Sequence, residues 1–278
     1  MSNYSKLDHP EVLSHIFYPL QLERTPLPEN ACDFDCTVEE NIVLGCRFHA
    51  ASQEAPTIIF FHGNGETVAD YDQIGARYNQ FGMNFLVTTY RGYGWSTGSP
   101  SVTSMLADTD IILQKAQAWL EEKGFSGSIF VMGRSLGSAA AIDLVQRHQD
   151  VIKGMIIESG FSDTMPLTDS LGIDTEQHEI TEEDCFGNSE KIAEIKITTL
   201  ILHGARDTTI PVQLAEKLQA CSGARGKQFL MVPGADHNTM IDVGGDRYFD
   251  VIKSFVDKAC GITKWQYRRR KYTRPSSK

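Results

Sequence analysis

The chain has 278 residues, 41% of them hydrophobic and 22% charged, an ordinary globular composition that excludes disorder, collagen-like repeats and fibrous structure. Its formal net charge is -10, yet seven of the 26 basic residues lie after Ile262 with no acid among them, leaving 19 to face all 36 acids. So acidic a body opposes nucleic acid by its own field, and no nucleic-acid partner is expected.

Residues 1–55 hold Pro-rich turns (YPLQLERTPLPEN) and then two short stretches, CDFDCTV and NIVLGCRF, that predict an antiparallel pair at a sheet edge. No window approaches 18 uncharged apolar residues, and the start MSNYSKLDHPEVL lacks a basic segment followed by an apolar run. A cytoplasmic protein with reduced thiols is therefore expected. Cys32 and Cys36 have no second Cys or His pair at zinc spacing, so neither metal nor cofactor is expected.

Six apolar runs follow, at 57–61, 84–88, 128–132, 154–157, 199–202 and 228–232. They lack in-out alternation and are rich in Ile, Val, Phe and Leu, as strands covered on both faces are. Helix-compatible stretches at 68–80, 104–123, 136–148, 212–220 and 246–260 alternate with them. This pattern predicts one α/β domain over 1–261: a mostly parallel sheet with helices on both faces. Residues 161–195 are too long for a plain connection, and read as a small acidic lid-like insertion whose apolar side covers a pocket.

Four motifs fall at the ends of these strands. Gly133-Arg134-Ser135-Leu136-Gly137 joins a strand to a helix. Such a turn lifts a serine Oγ above the sheet and offers the Leu136 amide to an oxyanion. A Gly-rich turn without chemistry is the other reading of five such residues. His62-Gly63-Asn64-Gly65-Glu66 follows the first parallel strand, where acyl transfer needs a second N–H donor; Asn64 is assigned to it, and His62 is read as structural. Asp207 in GARD can orient a histidine, with Glu158 at the end of an earlier strand as the rival acid and as a residue suited to anchoring the insertion. His237 in GADH is borne on a loop after the last strand. Ser135, Asp207 and His237 occur in the chain order of a serine-hydrolase triad.

On HGNGE (62–66), YRGYGWSTG (90–98), GRSLG (133–137), GARD and GADH (234–237), the chain resembles the α/β-hydrolases over about residues 30–261. More narrowly it resembles the small esterase and thioesterase subgroup that includes protein depalmitoylases and uncharacterised bacterial hydrolases. The resemblance implies Ser135 as nucleophile, His237 as base, Asp207 as its orienter, and Leu136 and Asn64 as oxyanion donors. It further implies a small-molecule or lipid-like acyl ester or thioester as substrate. Amide or peptide hydrolysis on the same triad, and a non-catalytic binding protein of this fold, are the alternatives. Thr89 stands where the family often has Asp before YRGYG, and MSNYSKLDHP lacks the cysteines that the depalmitoylases carry for lipidation. Membrane contact is then expected to be weak at most, through the basic tail 262–278.

Overall fold

Every one of the six apolar runs is a strand, and each is flanked by the helices that the alternation predicts. The computed structural model describes residues 3–262, so the basic tail lies outside the described residues apart from its first position. β1 (Ala31–Glu39) and β2 (Ile42–His49) form the expected antiparallel pair, with Phe34 opposite Cys46 and Cys36 opposite Leu44. β2 also runs antiparallel to β4 (Asn84–Thr88), and β4 is parallel to β3 (Thr57–Phe61). From β3 the sheet continues in parallel through β5 (Ile129–Arg134), β6 (Gly154–Glu158), β7 (Thr198–Gly204) and β8 (Lys227–Val232). The order is β1-β2-β4-β3-β5-β6-β7-β8, an α/β-hydrolase sheet.

Successive residues on the central strands face opposite sides, which is why the runs must be apolar throughout. On β3, Ile59 and Phe61 join one core while Ile58 and Phe60 join the other. The first core is closed by α3 (Val102–Glu122) and α4 (Gly137–Arg147), and α7 (Val212–Cys221) packs beside them; the second by α2 (Asp72–Gln80) and α8 (Met240–Ala259). α3 starts at a reciprocal cap in which Ser101 accepts from the Ser104 amide and Ser104 accepts from the Ser101 amide. α8 buries Phe249, Ile252, Phe255 and Val256, an apolar stripe at helical spacing, each worth about 1.5–3 kcal/mol of burial. It begins six residues before the predicted start, because the turn at 240–244 runs on through Gly245, whose φ of 51° a side chain would resist.

Two regions depart from expectation. The N-terminal segment holds an unpredicted helix, α1 (Pro10–Ile16), with Pro10 in its first turn and Val12 and Ile16 buried. The insertion folds as α5 (Met165–Leu171), a tight turn at Glu182–Asp184, and α6 (Asn188–Glu194). Its Leu167, Ile173, Ile180 and Phe186 are buried in the same core as Val12, Ile16 and Phe61. The apolar side of the insertion is thus spent on the protein's own core, instead of roofing an open pocket. Glu182 ties the insertion to itself by accepting from the Thr164 and Met165 amides, both at 2.8 Å. Among the described residues, no helix is long and apolar enough to cross a membrane.

Candidate active site

The parallel strands present their C-terminal ends together, which is where open α/β sheets collect functional groups. β5 ends at Ser135, whose φ of 52° lies in the left-handed region that side chains avoid. The turn is held in that shape on both sides: the Ser135 amide donates to the Glu158 carbonyl at 3.0 Å, and the Ser138 amide to the Ser135 carbonyl at 2.9 Å. Only glycine fits at either flank. A Cβ on Gly133 would lie 2.2 Å from the Gly137 carbonyl oxygen, and one on Gly137 would lie 2.1 Å from that of Phe61. The Ser135 turn is therefore pressed against the end of β3, where the HGNGE loop begins.

The three residues matched by chain order meet in space. Ser135 Oγ lies 3.0 Å from His237 Nε2, across a separation of 102 residues. His237 Nδ1 lies 2.8 Å from Asp207 Oδ2. The other carboxylate oxygen of Asp207 accepts from the amides of Thr209 (3.0 Å) and Ile210 (2.8 Å), which fixes its plane. Burial pushes the Asp207 carboxyl up, but the His237 contact and the Ile210 amide outweigh it and hold the group below the ordinary aspartate value. It is an anion facing an imidazole. His203 stands behind it, with Nε2 donating to the Ile210 carbonyl at 2.8 Å, and burial keeps that ring neutral.

Glu158, the rival acid, does not approach His237 Nδ1. Its carboxylate accepts from the Tyr248 hydroxyl and lies 3.4 Å from Arg134 Nε, so it holds Arg134 and does not anchor the insertion. His62 is structural as expected: Nδ1 donates to the Gly63 carbonyl at 2.8 Å, and Nε2 is 3.1 Å from the Thr89 hydroxyl. Burial lowers its pKa from 6.5 to about 4. Thr89, the departure from the family pattern, thus supplies the hydroxyl that satisfies His62. Among the described residues, the Leu136 and Asn64 amides donate to no acceptor, which leaves both N–H groups open. The Asn64 side chain is clamped, since its Oδ1 accepts from the Tyr18 amide at 2.8 Å and the Tyr93 hydroxyl at 2.7 Å.

Sequence reading passed over the residues that tie these loops together. Arg134 pairs with Glu66, and its Nη2 donates to the His237 carbonyl at 2.7 Å and to Asn238 Oδ1 at 3.0 Å. Glu66 in turn accepts from the Gly63 amide and the Tyr71 hydroxyl, both at 2.6 Å. One guanidinium–carboxylate junction thereby joins the end of β5, the HGNGE loop and the His237 loop. A cavity of about 340 Å³ backs onto it, lined by Glu66, Tyr71, Arg134, Glu158, Asn238 and Tyr248 among others. Arg134 and Glu66 stood inside two of the motifs, but only their partnership across 68 residues gives them meaning.

Known proteins resemble the chain in sequence and in fold. A family model described as serine aminopeptidase, S33, matches residues 52–168. Protein bem46 of Schizosaccharomyces pombe is 32% identical over 211 residues, which cover 73% of this chain and 68% of that protein. Alpha/beta hydrolase domain-containing protein 17B of Xenopus tropicalis is 30% identical over 229 residues, covering 77% of this chain and 70% of that protein. Among solved structures, an esterase of Pyrococcus furiosus superposes with a TM-score of 0.69 at 18% identity, over 86% of this chain and 98% of that one. That last likeness is one of fold alone.

Proposed function

The chain belongs to the α/β-hydrolase superfamily, and from that premise we propose that it is a serine hydrolase cleaving a carboxylic ester or thioester. The observation that carries the reading is the unbroken line Ser135 Oγ, His237 and Asp207, with contacts of 3.0 and 2.8 Å. Ser135 donates its proton to His237 Nε2 and attacks the acyl carbon. The imidazolium that forms is stabilised by Asp207, to which Nδ1–H donates. Charge then gathers on the former carbonyl oxygen, and the open amides of Leu136 and Asn64 are its proposed donors. His237 returns the proton to the leaving alcohol or thiol. Water, deprotonated by the same imidazole, hydrolyses the acyl-enzyme and frees Ser135.

A lipid-like acyl group is the proposed substrate class. The N-terminal strap that clamps Asn64 through Tyr18 leaves Tyr18, Leu20 and Leu22 exposed, an apolar margin beside a proposed oxyanion donor. The cytosol is the proposed setting, in keeping with six cysteines that are all unpaired. Amide hydrolysis is the second reading, favoured by the description of the family model over 52–168. A panel of p-nitrophenyl esters, acyl-thioesters and aminoacyl amides, from acetyl to palmitoyl, separates the two. Turnover of the acyl esters with amides inert supports the proposal, and the opposite ranking replaces it.

A further inference from the structure

The seam between α1 and the insertion gathers a donor set that the catalytic reading does not use. His9 stands at the start of α1, Glu11 in its first turn, and His178 belongs to the insertion. The His9 and His178 ring centroids are 4.7 Å apart. His178 Nε2 lies 3.3 Å from Glu11 Oε2. One ligand atom from each of the three residues lies within 4.8 Å of the other two. We propose that His9, Glu11 and His178 bind a divalent transition-metal ion of the zinc class, which pins α1 to the insertion.

Two imidazoles and one carboxylate are a donor set that zinc accepts, at bond lengths of about 2.0–2.2 Å. Ligand atoms on a tetrahedral ion of that size sit about 3.4 Å apart, so closing the site needs side-chain rotations of roughly an ångström. The seam permits them. The His178 side chain is 12% exposed and that of Glu11 is 64%, so a fixed imidazole is met by groups free to turn toward it. Gln177 donates to Glu11 Oε2 at 3.1 Å, which steadies the carboxylate from the insertion side. The adjoining cleft, about 290 Å³, is lined by Glu11 and His178 among others, leaving room for water in the fourth position. Imidazole favours zinc, cobalt or nickel over magnesium and calcium, which prefer oxygen throughout. Glu11 and Gln177 are 166 positions apart, so no spacing pattern in the sequence could announce the site.

The test is calorimetric titration of the full chain, stripped with chelator, with zinc chloride and separately with magnesium chloride, alongside thermal melts. One zinc ion per chain is expected, with a rise in Tm that magnesium does not give, because an ion bound only by the folded state stabilises it. Cobalt should give a visible absorption band of tetrahedral type. His178→Ala and His9→Ala should each weaken zinc binding at least about tenfold, as a three-ligand site loses one donor. Glu11→Gln, which keeps the shape of the side chain, should weaken it as well. Metal-free hydrolysis should be unchanged in all three variants. Absence of stoichiometric zinc binding would overturn the proposal, and so would zinc affinity unaltered by His9→Ala and His178→Ala together.

Discussion

The loops around Ser135 and the seam between α1 and the insertion are both built from segments distant in the chain, yet different physics holds them. Around Ser135 the charged groups are largely shielded and multiply bound. Arg134 is 11% exposed and reaches Glu66, Glu158, His237 and Asn238. At the seam the pairs lie at the surface and are more open to water, as with Lys6, 38% exposed, and Asp184 at 2.9 Å. Desolvated groups with several partners have one geometry available, whereas exposed pairs can exchange partners with water at little cost. The first arrangement suits a site that must hold ångström tolerances. The second suits a surface that adjusts.

The contrast can be broken or sharpened by substitution. Ser135→Ala should reduce kcat by about 10⁴–10⁶ with the fold intact by circular dichroism. A fluorophosphonate probe should label the wild type and not the variant; equal labelling would move the nucleophile elsewhere. Asp207→Asn should cost about 10⁴ in kcat, because the imidazole would then be held in the wrong tautomer. Glu158→Gln, beside it in the sheet, should leave kcat within about tenfold and appear instead as a lower Tm, since it supports Arg134 and Tyr248. Measuring kcat and Tm for both variants separates the roles, and a reversed pattern would make Glu158 the acid. Arg134→Met should lower kcat by about 10², through displacement of the His237 loop, with KM changed less. A variant in which only KM moves would place Arg134 in substrate binding.

Acid should act on the fold through its buried histidines. His62 and His49 are held from 6.5 down to about 4 by burial, so the folded state keeps them neutral while the unfolded chain takes up protons. Below pH 6.5 the unfolded state binds more protons than the folded one, so stability falls as pH drops and levels off near pH 4. The loss approaches about 3 kcal/mol for each ring. Chemical denaturation at a series of pH values would show it, and His62→Gln should remove its share of the slope. The smallest effect is expected at the seam. Lys6→Ala should shift Tm by no more than about a degree or two, as exposed pairs do.

The strands, and the meeting of Ser135, His237 and Asp207 in space, were legible because their signals are local: apolar runs of strand length, and motifs that fall where strands end. Chain order then linked Ser135, Asp207 and His237 without any knowledge of their distances. What was illegible is pairwise and long-range. Glu66 and Arg134 were visible as letters of two motifs, but an ion pair across 68 positions leaves no periodicity. α1 was hidden because the Pro-rich stretch that follows it dominates the composition of that segment, although Val12 and Ile16 carry helical spacing. Of the insertion's apolar residues Met165, Leu167, Leu171, Ile173, Ile180 and Phe186, four are buried, Met165 is half-buried and Leu171 is exposed. What they cover was not legible, since an apolar face looks the same in sequence whether it roofs a pocket or meets a core.

β8, which leads into the loop that carries His237, is an edge strand with β7 as its single neighbour in the sheet among the described residues. It is also the last strand to leave the ribosome. A nascent chain complete through β7 and the loop after it already carries Ser135 and Asp207, yet lacks His237, which meets them at 3.0 and 2.8 Å. On the proposed mechanism, a polypeptide cut short anywhere before residue 237 should lack the base that Ser135 needs and should hydrolyse no ester.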